Sequence, residues 1–159
     1  METRMQENVL TLTTQSLNPG ALAAFTRVSR WDEVDQAIDV AFSSGGAVRL
    51  ATEVEVDSPR SGLVRQDAIE MLALPGRYRL VVSPFKKLGE RSNRRDWWQP
   101  GDETFRGTEK FGDEEVDSRM VCHDVRVAKE LLAEFVAERQ ITKRLIDSTL
   151  SVWTPKPRA

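Results

Sequence analysis

Cysteine, histidine and tyrosine occur once each in this chain of 159 residues, as Cys122, His123 and Tyr78. A lone cysteine cannot form an internal disulfide, which removes a disulfide framework and favours a reducing compartment. With no paired Cys or His spacing and no calcium-loop order among the carboxylates, no metal is expected. Cys122 and His123 are adjacent, and neighbours in an extended segment point to opposite faces. The imidazole is therefore not expected on the sulfur, and Cys122 reads as a buried packing residue. No Gly-x-Ser-x-Gly elbow supports a serine nucleophile. Gly45-Gly46 follows a helical pattern and precedes a strand, the reverse of the order that a phosphate-cradling loop requires. No run approaches the roughly 18 apolar residues that span a bilayer, and Met1 to Glu7 lacks the apolar core of a secretory signal. The expectations are a cytoplasmic protein, not an enzyme, with no cofactor and no membrane association.

The composition is that of an ordinary soluble domain, 40% hydrophobic and 30% charged. Its 23 basic and 25 acidic side chains leave a net charge of −2, so no global field draws it to nucleic acid. The length suits one core, and residues 1–159 read as a single globular domain.

Val9 to Thr13 alternates apolar with β-branched polar residues and stops at Asn18-Pro19-Gly20, a strand and a turn. Ala21 to Val28 reads as a second strand or a loose connection. Ser29 and Asp32 resemble a capping arrangement, after which Trp31, Val34, Ile38, Ala41 and Phe42 recur at helical spacing up to Gly45-Gly46. Val48, Leu50, Thr52, Val54 and Val56 share one side of a period-two pattern, so one face of that strand is buried. Leu63 to Leu74 fits a strand or a helix by itself. Pro75-Gly76 and the following Arg77 to Val82 favour a hairpin with Tyr78, Leu80 and Val82 facing the core. Further strands are expected around Phe105 to Phe111 and Arg119 to Cys122, with a turn at Gly112-Asp113. Asp124 is placed to cap a helix carrying Val127, Ala128, Leu131, Leu132, Phe135 and Val136 on one face. A shorter helix is expected over Lys143 to Leu150, and the two prolines of residues 154–159 impose an extended tail. The class is α+β, an antiparallel β-sheet with helices packed on one face.

The segment with most to say about function runs from Lys86 to Asp117. Lys86, Lys87, Arg91, Arg94 and Arg95 make its first part basic; Asp102, Glu103, Glu109, Asp113, Glu114, Glu115 and Asp117 make its second part acidic. Trp97 and Trp98 stand at the junction. Basic residues next to indoles suit single-stranded nucleic acid, but the adjoining acidic block repels phosphate, so nucleic acid is disfavoured. Clustered carboxylates suit a basic protein partner, because charge steers encounter and a buried aromatic anchors it. Alternation sends one of the two tryptophans inward, leaving the other as the anchor, while Trp31 and Trp153 read as packing residues. The expected partner-binding residues are Arg94, Arg95, Trp97, Trp98, Asp102, Glu103, Asp113, Glu114, Glu115 and Asp117.

Leu74-Pro75-Gly76-Arg77-Tyr78-Arg79-Leu80 resembles the Pro-Gly-x-Tyr hairpin of small bacterial immunity-type proteins, including nuclease inhibitors. Trp98 to Asp102, Phe105 to Thr108, Phe111 to Glu115 and Trp153 to Arg158 are similar to segments of such proteins. The resemblance covers mainly the chain from Leu74 onward. It implies a non-enzymatic inhibitor that binds a cognate protein toxin, and it assigns no catalytic residue. The alternative expectation is a self-associating structural or regulatory module, with homodimer formation.

Overall fold

The computed structural model describes residues 9–18, 20–56, 62–84, 93–101 and 105–151. The proline-containing tail and Trp153 lie outside them, as do Asp102 and Glu103. Strands β1 (Val9–Gln15), β2 (Ala24–Arg27), β3 (Gly46–Val56), β4 (Gly62–Leu74), β5 (Arg77–Ser83), β6 (Arg95–Trp97) and β9 (Thr149–Ser151) form one sheet in the order β2-β1-β3-β4-β5-β6-β9. Every pairing in it is antiparallel. Strands β7 (Thr108–Phe111) and β8 (Glu114–Asp117) form a separate hairpin. With helices α1 (Trp31–Ser44), α2 (Val125–Glu138) and α3 (Lys143–Asp147), the class is α+β.

Register explains which face is buried. Leu12 opposes Leu50, Leu50 opposes Ile69, and Ile69 opposes Val82. Neighbours two residues along share a face, so Leu10, Val48, Met71, Leu80 and Tyr78 join them. All are buried in one cluster with Val34, Ile38 and Ala41 of α1 and Ala128, Leu131, Leu132 and Phe135 of α2. Both long helices thus cover the same face. Lys129 of α2 ties them together by reaching Asp35 and Asp39 of α1 at 3.0 and 2.9 Å. Trp31 packs half-buried against this core.

The β4–β5 hairpin turns at Pro75-Gly76, between paired Leu74 and Arg77, with the positive φ carried by Gly76. Gly46 is also obligatory: its φ is +133°, and a Cβ there would collide with the Gln15 carbonyl oxygen.

Four local expectations are corrected. Helix α1 is not capped by Ser29. Arg30 is its N-cap without a side-chain bond, and the Ser29 hydroxyl instead donates to Glu33 at 2.9 Å. The strand expected over Arg119 to Cys122 lies earlier, as β8, because Lys110 and Phe111 pair with Glu115 and Glu114. Ser118–Met120 is a single 3₁₀ turn, and Cys122 keeps only one bridge, to Tyr78. The last helix ends at Asp147, since Thr149–Ser151 pairs with β6. The basic segment before Trp97, where the sequence pattern predicts no element, yields β6, an internal strand.

Candidate functional site: the acidic hairpin and the groups behind it

The β7–β8 hairpin carries the acidic block. A two-residue turn, Gly112-Asp113, links paired Phe111 and Glu114, and Gly112 takes the positive φ of 63° that the first central residue of a tight hairpin needs. Alternation divides the side chains. Glu109, Phe111, Glu114 and Val116 share the face toward the sheet, where Val116 is buried. Arg77 of β5 pairs with Glu109, and Arg79 of β5 donates to Glu114 at 2.9 Å. The guanidinium carbons of Arg77 and Arg79 lie 5.7 and 6.0 Å from the Phe111 ring centre, within cation–π range. Two arginines of the sheet therefore hold the hairpin. On its other face, Thr108 donates to Glu115 at 2.9 Å.

The expected site residues fall into three groups. Asp113, Glu114 and Glu115 are exposed together at the hairpin's end. Trp98 is half-buried, with the Arg119 guanidinium carbon 4.6 Å from its ring centre, and exposed Phe105 lies over the same group at 5.6 Å. The remaining described members serve the interior. Trp97 is 2% exposed, in the core. Arg95 is spent on β9, donating to the Thr149 hydroxyl at 2.8 Å and to the carbonyls of Thr149 and Ile146 at 2.9 and 3.2 Å. Arg94 reaches Asp96 at 3.2 Å. Asp117 grips the fully buried Arg119 with both oxygens, at 3.0 and 2.7 Å. Sequence position alone made Asp117 equal to Glu115; pairing separates them.

Residues not singled out from sequence matter as much. Arg79 is 7% exposed and Asp96 6%, and they meet at 3.3 Å on the sheet face opposite the helices. Their signal is weak but present: Arg77 and Arg79 occupy alternate positions of a strand that is apolar from Leu80 to Val82.

Behind the hairpin, the Tyr78 hydroxyl donates to the Asp124 carbonyl at 2.7 Å and accepts from the Ala128 N–H at 2.8 Å. It fastens the first turn of α2 to β5. Burial first, and then neighbouring Cys122, hold the Tyr78 phenol far above the ordinary tyrosine range. Burial likewise pushes the Cys122 thiol up, and its Sγ lies 3.5 Å from the Asp124 carbonyl. Cys122 is buried while His123 is exposed, as extended neighbours should be, and a protonated buried thiol is a poor nucleophile. Asp124 caps α2 by accepting from Arg126 N at 3.0 Å. Its side-chain bond to the Arg126 guanidinium holds its carboxyl below the usual range. Among the described residues, no group of three or more His, Cys, Asp or Glu is placed to hold a metal, and no helix is long and apolar enough to cross a membrane.

Neither a family model nor a curated protein matches this chain. Its fold is similar to that of a hypothetical protein from Neisseria gonorrhoeae known from a crystal structure. The two share 9% sequence identity with a TM-score of 0.57, over 90% of this chain and 96% of the other. At that identity the likeness is one of fold alone.

Proposed function

We propose that this is a non-catalytic cytoplasmic inhibitor of the bacterial immunity type, which neutralises a cognate protein toxin by placing the β7–β8 hairpin in a basic cleft. One observation carries the reading: Asp113, Glu114 and Glu115 are exposed together at the end of a hairpin outside the main sheet. Neighbouring exposed charges act together over a Debye length of about 8 Å, and an exposed acidic turn steers a basic partner toward itself. Trp98 and Phe105, packed over Arg119, supply an aromatic surface at the hairpin's other end, where Asp117 holds Arg119 and pairs with Thr108. Binding of this kind requires no cofactor.

The full chain, tagged, should capture from its native lysate one stoichiometric basic protein, held at low salt and released as salt rises. Asp113→Lys with Glu115→Lys should slow association by about tenfold at low salt and flatten its salt dependence, with the far-UV spectrum unchanged. Glu114 is left in place because a lysine there would face Arg79. Equal association rates and salt slopes for the two forms would remove the hairpin as the steering element.

A second reading, self-association, has its own observation. Edge strand β2 is exposed along its whole length, and Leu22, Phe25 and Val40 nearby are 94, 59 and 59% exposed. Unpaired strand edges flanked by apolar side chains invite pairing with a second copy. A discrete oligomer in sedimentation, without another protein, would favour this reading.

A further inference from the structure

Arg79 is the anomaly of the sheet. A guanidinium buried to 7% exposure is costly unless its donors are satisfied. Its Nη1 and Nη2 reach Glu114 and Asp96, while its buried Nε has no hydrogen-bond acceptor among the described residues. The two carboxylates are unlike. Asp96 is buried and shared with Arg94. Glu114 leans in from the hairpin with 71% of its side chain in solvent, so its hold on Arg79 is only of surface strength. Around the pair opens a cleft of about 610 Å³, within the roughly 300–1,000 Å³ typical of small-molecule sites. Leu17, Leu72, Leu74 and Phe111 line it beside Arg79 and Glu114.

We propose that this cleft binds a small amphipathic monocarboxylate, whose acid group replaces that of Glu114 on Arg79 while its apolar part lies against Leu72 and Phe111. The charges select this class. A ligand carboxylate on Arg79 Nη1 takes the place of the Glu114 carboxylate and leaves the buried guanidinium with two acid partners, as before. A phosphate dianion would bring a second negative charge toward Asp96 and the lining residue Asp113, a cation would meet the buried guanidinium, and a neutral ligand has no charge with which to displace Glu114 from it. Glu114 is then the site's resident competitor, swung aside on binding. The inference does not depend on the hairpin having a protein partner.

The test is a titration of the ¹⁵N-labelled full chain with octanoate, with octanamide as the uncharged match. Octanoate should shift the amides of Leu72, Arg79 and Phe111 saturably, and octanamide should not. Glu114→Gln should tighten octanoate binding about two- to fivefold, the release of one surface ion pair. Glu115→Gln, on the other hairpin face, should leave the affinity unchanged. Acetyl-glycyl-leucine carries the same acid on a peptide end, and whichever of the two acids binds more tightly names the source. Equal shifts from octanamide, equal tightening by the two glutamine variants, no tightening by Glu114→Gln, or no saturable shift with either acid would each overturn the proposal.

Discussion

Replacing Tyr78 by phenylalanine tests how the helical layer is fastened to the sheet. The hydroxyl stands between the Asp124 carbonyl and the Ala128 N–H, two groups that an uninterrupted first turn would join directly. Without it, Asp124 O keeps the Val127 N–H at 3.2 Å, so only one buried donor is orphaned, at a cost of about 1–3 kcal/mol. The phenylalanine ring keeps its place in the core and blocks the turn from closing. The expected loss is therefore about 2 kcal/mol, or a Tm lower by about 4–8 °C for a chain of this size, with the urea m-value unchanged. Tryptophan fluorescence in urea would measure it. A loss below about 0.5 kcal/mol would mean that the turn closes on itself and that the hydroxyl is not a fastener. Alkali supplies a second readout. Burial raises both the Tyr78 phenol and the Cys122 thiol, so the unfolded chain releases these protons first as pH rises. Stability is then fully present below the ordinary thiol value of about 8.5 and declines above it. Above the ordinary tyrosine value of about 10, the wild type should decline more steeply than Tyr78→Phe.

Two further perturbations separate structural charges from exposed ones. Asp117→Asn removes the carboxylate that grips the fully buried Arg119 and should lower stability by about 3 kcal/mol, measured by urea denaturation; an unchanged midpoint would remove Asp117 from the interior set. Asp124, held low by its bond to Arg126, contributes stability at every pH above the ordinary aspartate value and loses it as pH falls through the depressed one. Asp124→Asn should therefore flatten the acid limb of a Tm-against-pH profile, and parallel limbs would refute the assignment.

Why some elements were legible and others were not follows from where their information lies. Strand β3 announces itself because Ala47 to Leu50 alternate in burial, β5 because its apolar run follows the Pro75-Gly76 turn, and α2 because Ala128, Leu131, Leu132 and Phe135 line one face. Local pattern suffices when an element packs on one side. Strand β6 has Arg95 and Asp96 in a three-residue strand, and β9 is equally short. Strand β6 exists between β5 and β9, and β9 pairs with β6 alone: Arg95 reaches Thr149 and Ile146 across more than fifty residues, a pairing that no local window contains. The same holds for β8, whose two glutamates mask a strand that Phe111 and the β5 arginines complete.

The acidic block shows the same principle at the level of charge. In sequence, Asp113, Glu114, Glu115 and Asp117 are one run. In the fold they hold three different environments: Asp113 and Glu115 exposed, Glu114 in solvent yet touching a buried arginine, Asp117 nearly enclosed at 11% side-chain exposure. Steering energy comes from charges that keep their field in solvent, whereas a carboxylate locked to a buried guanidinium has its field neutralised at short range. A surface built from the whole run would therefore overstate the attraction for a basic partner and miss the cost of mutating its last member. Glu114 is the pivot between the two populations. A ligand that frees it from Arg79 would add a carboxylate to the exposed tip, so occupancy of the cleft and charge at the hairpin's end are coupled through one side chain.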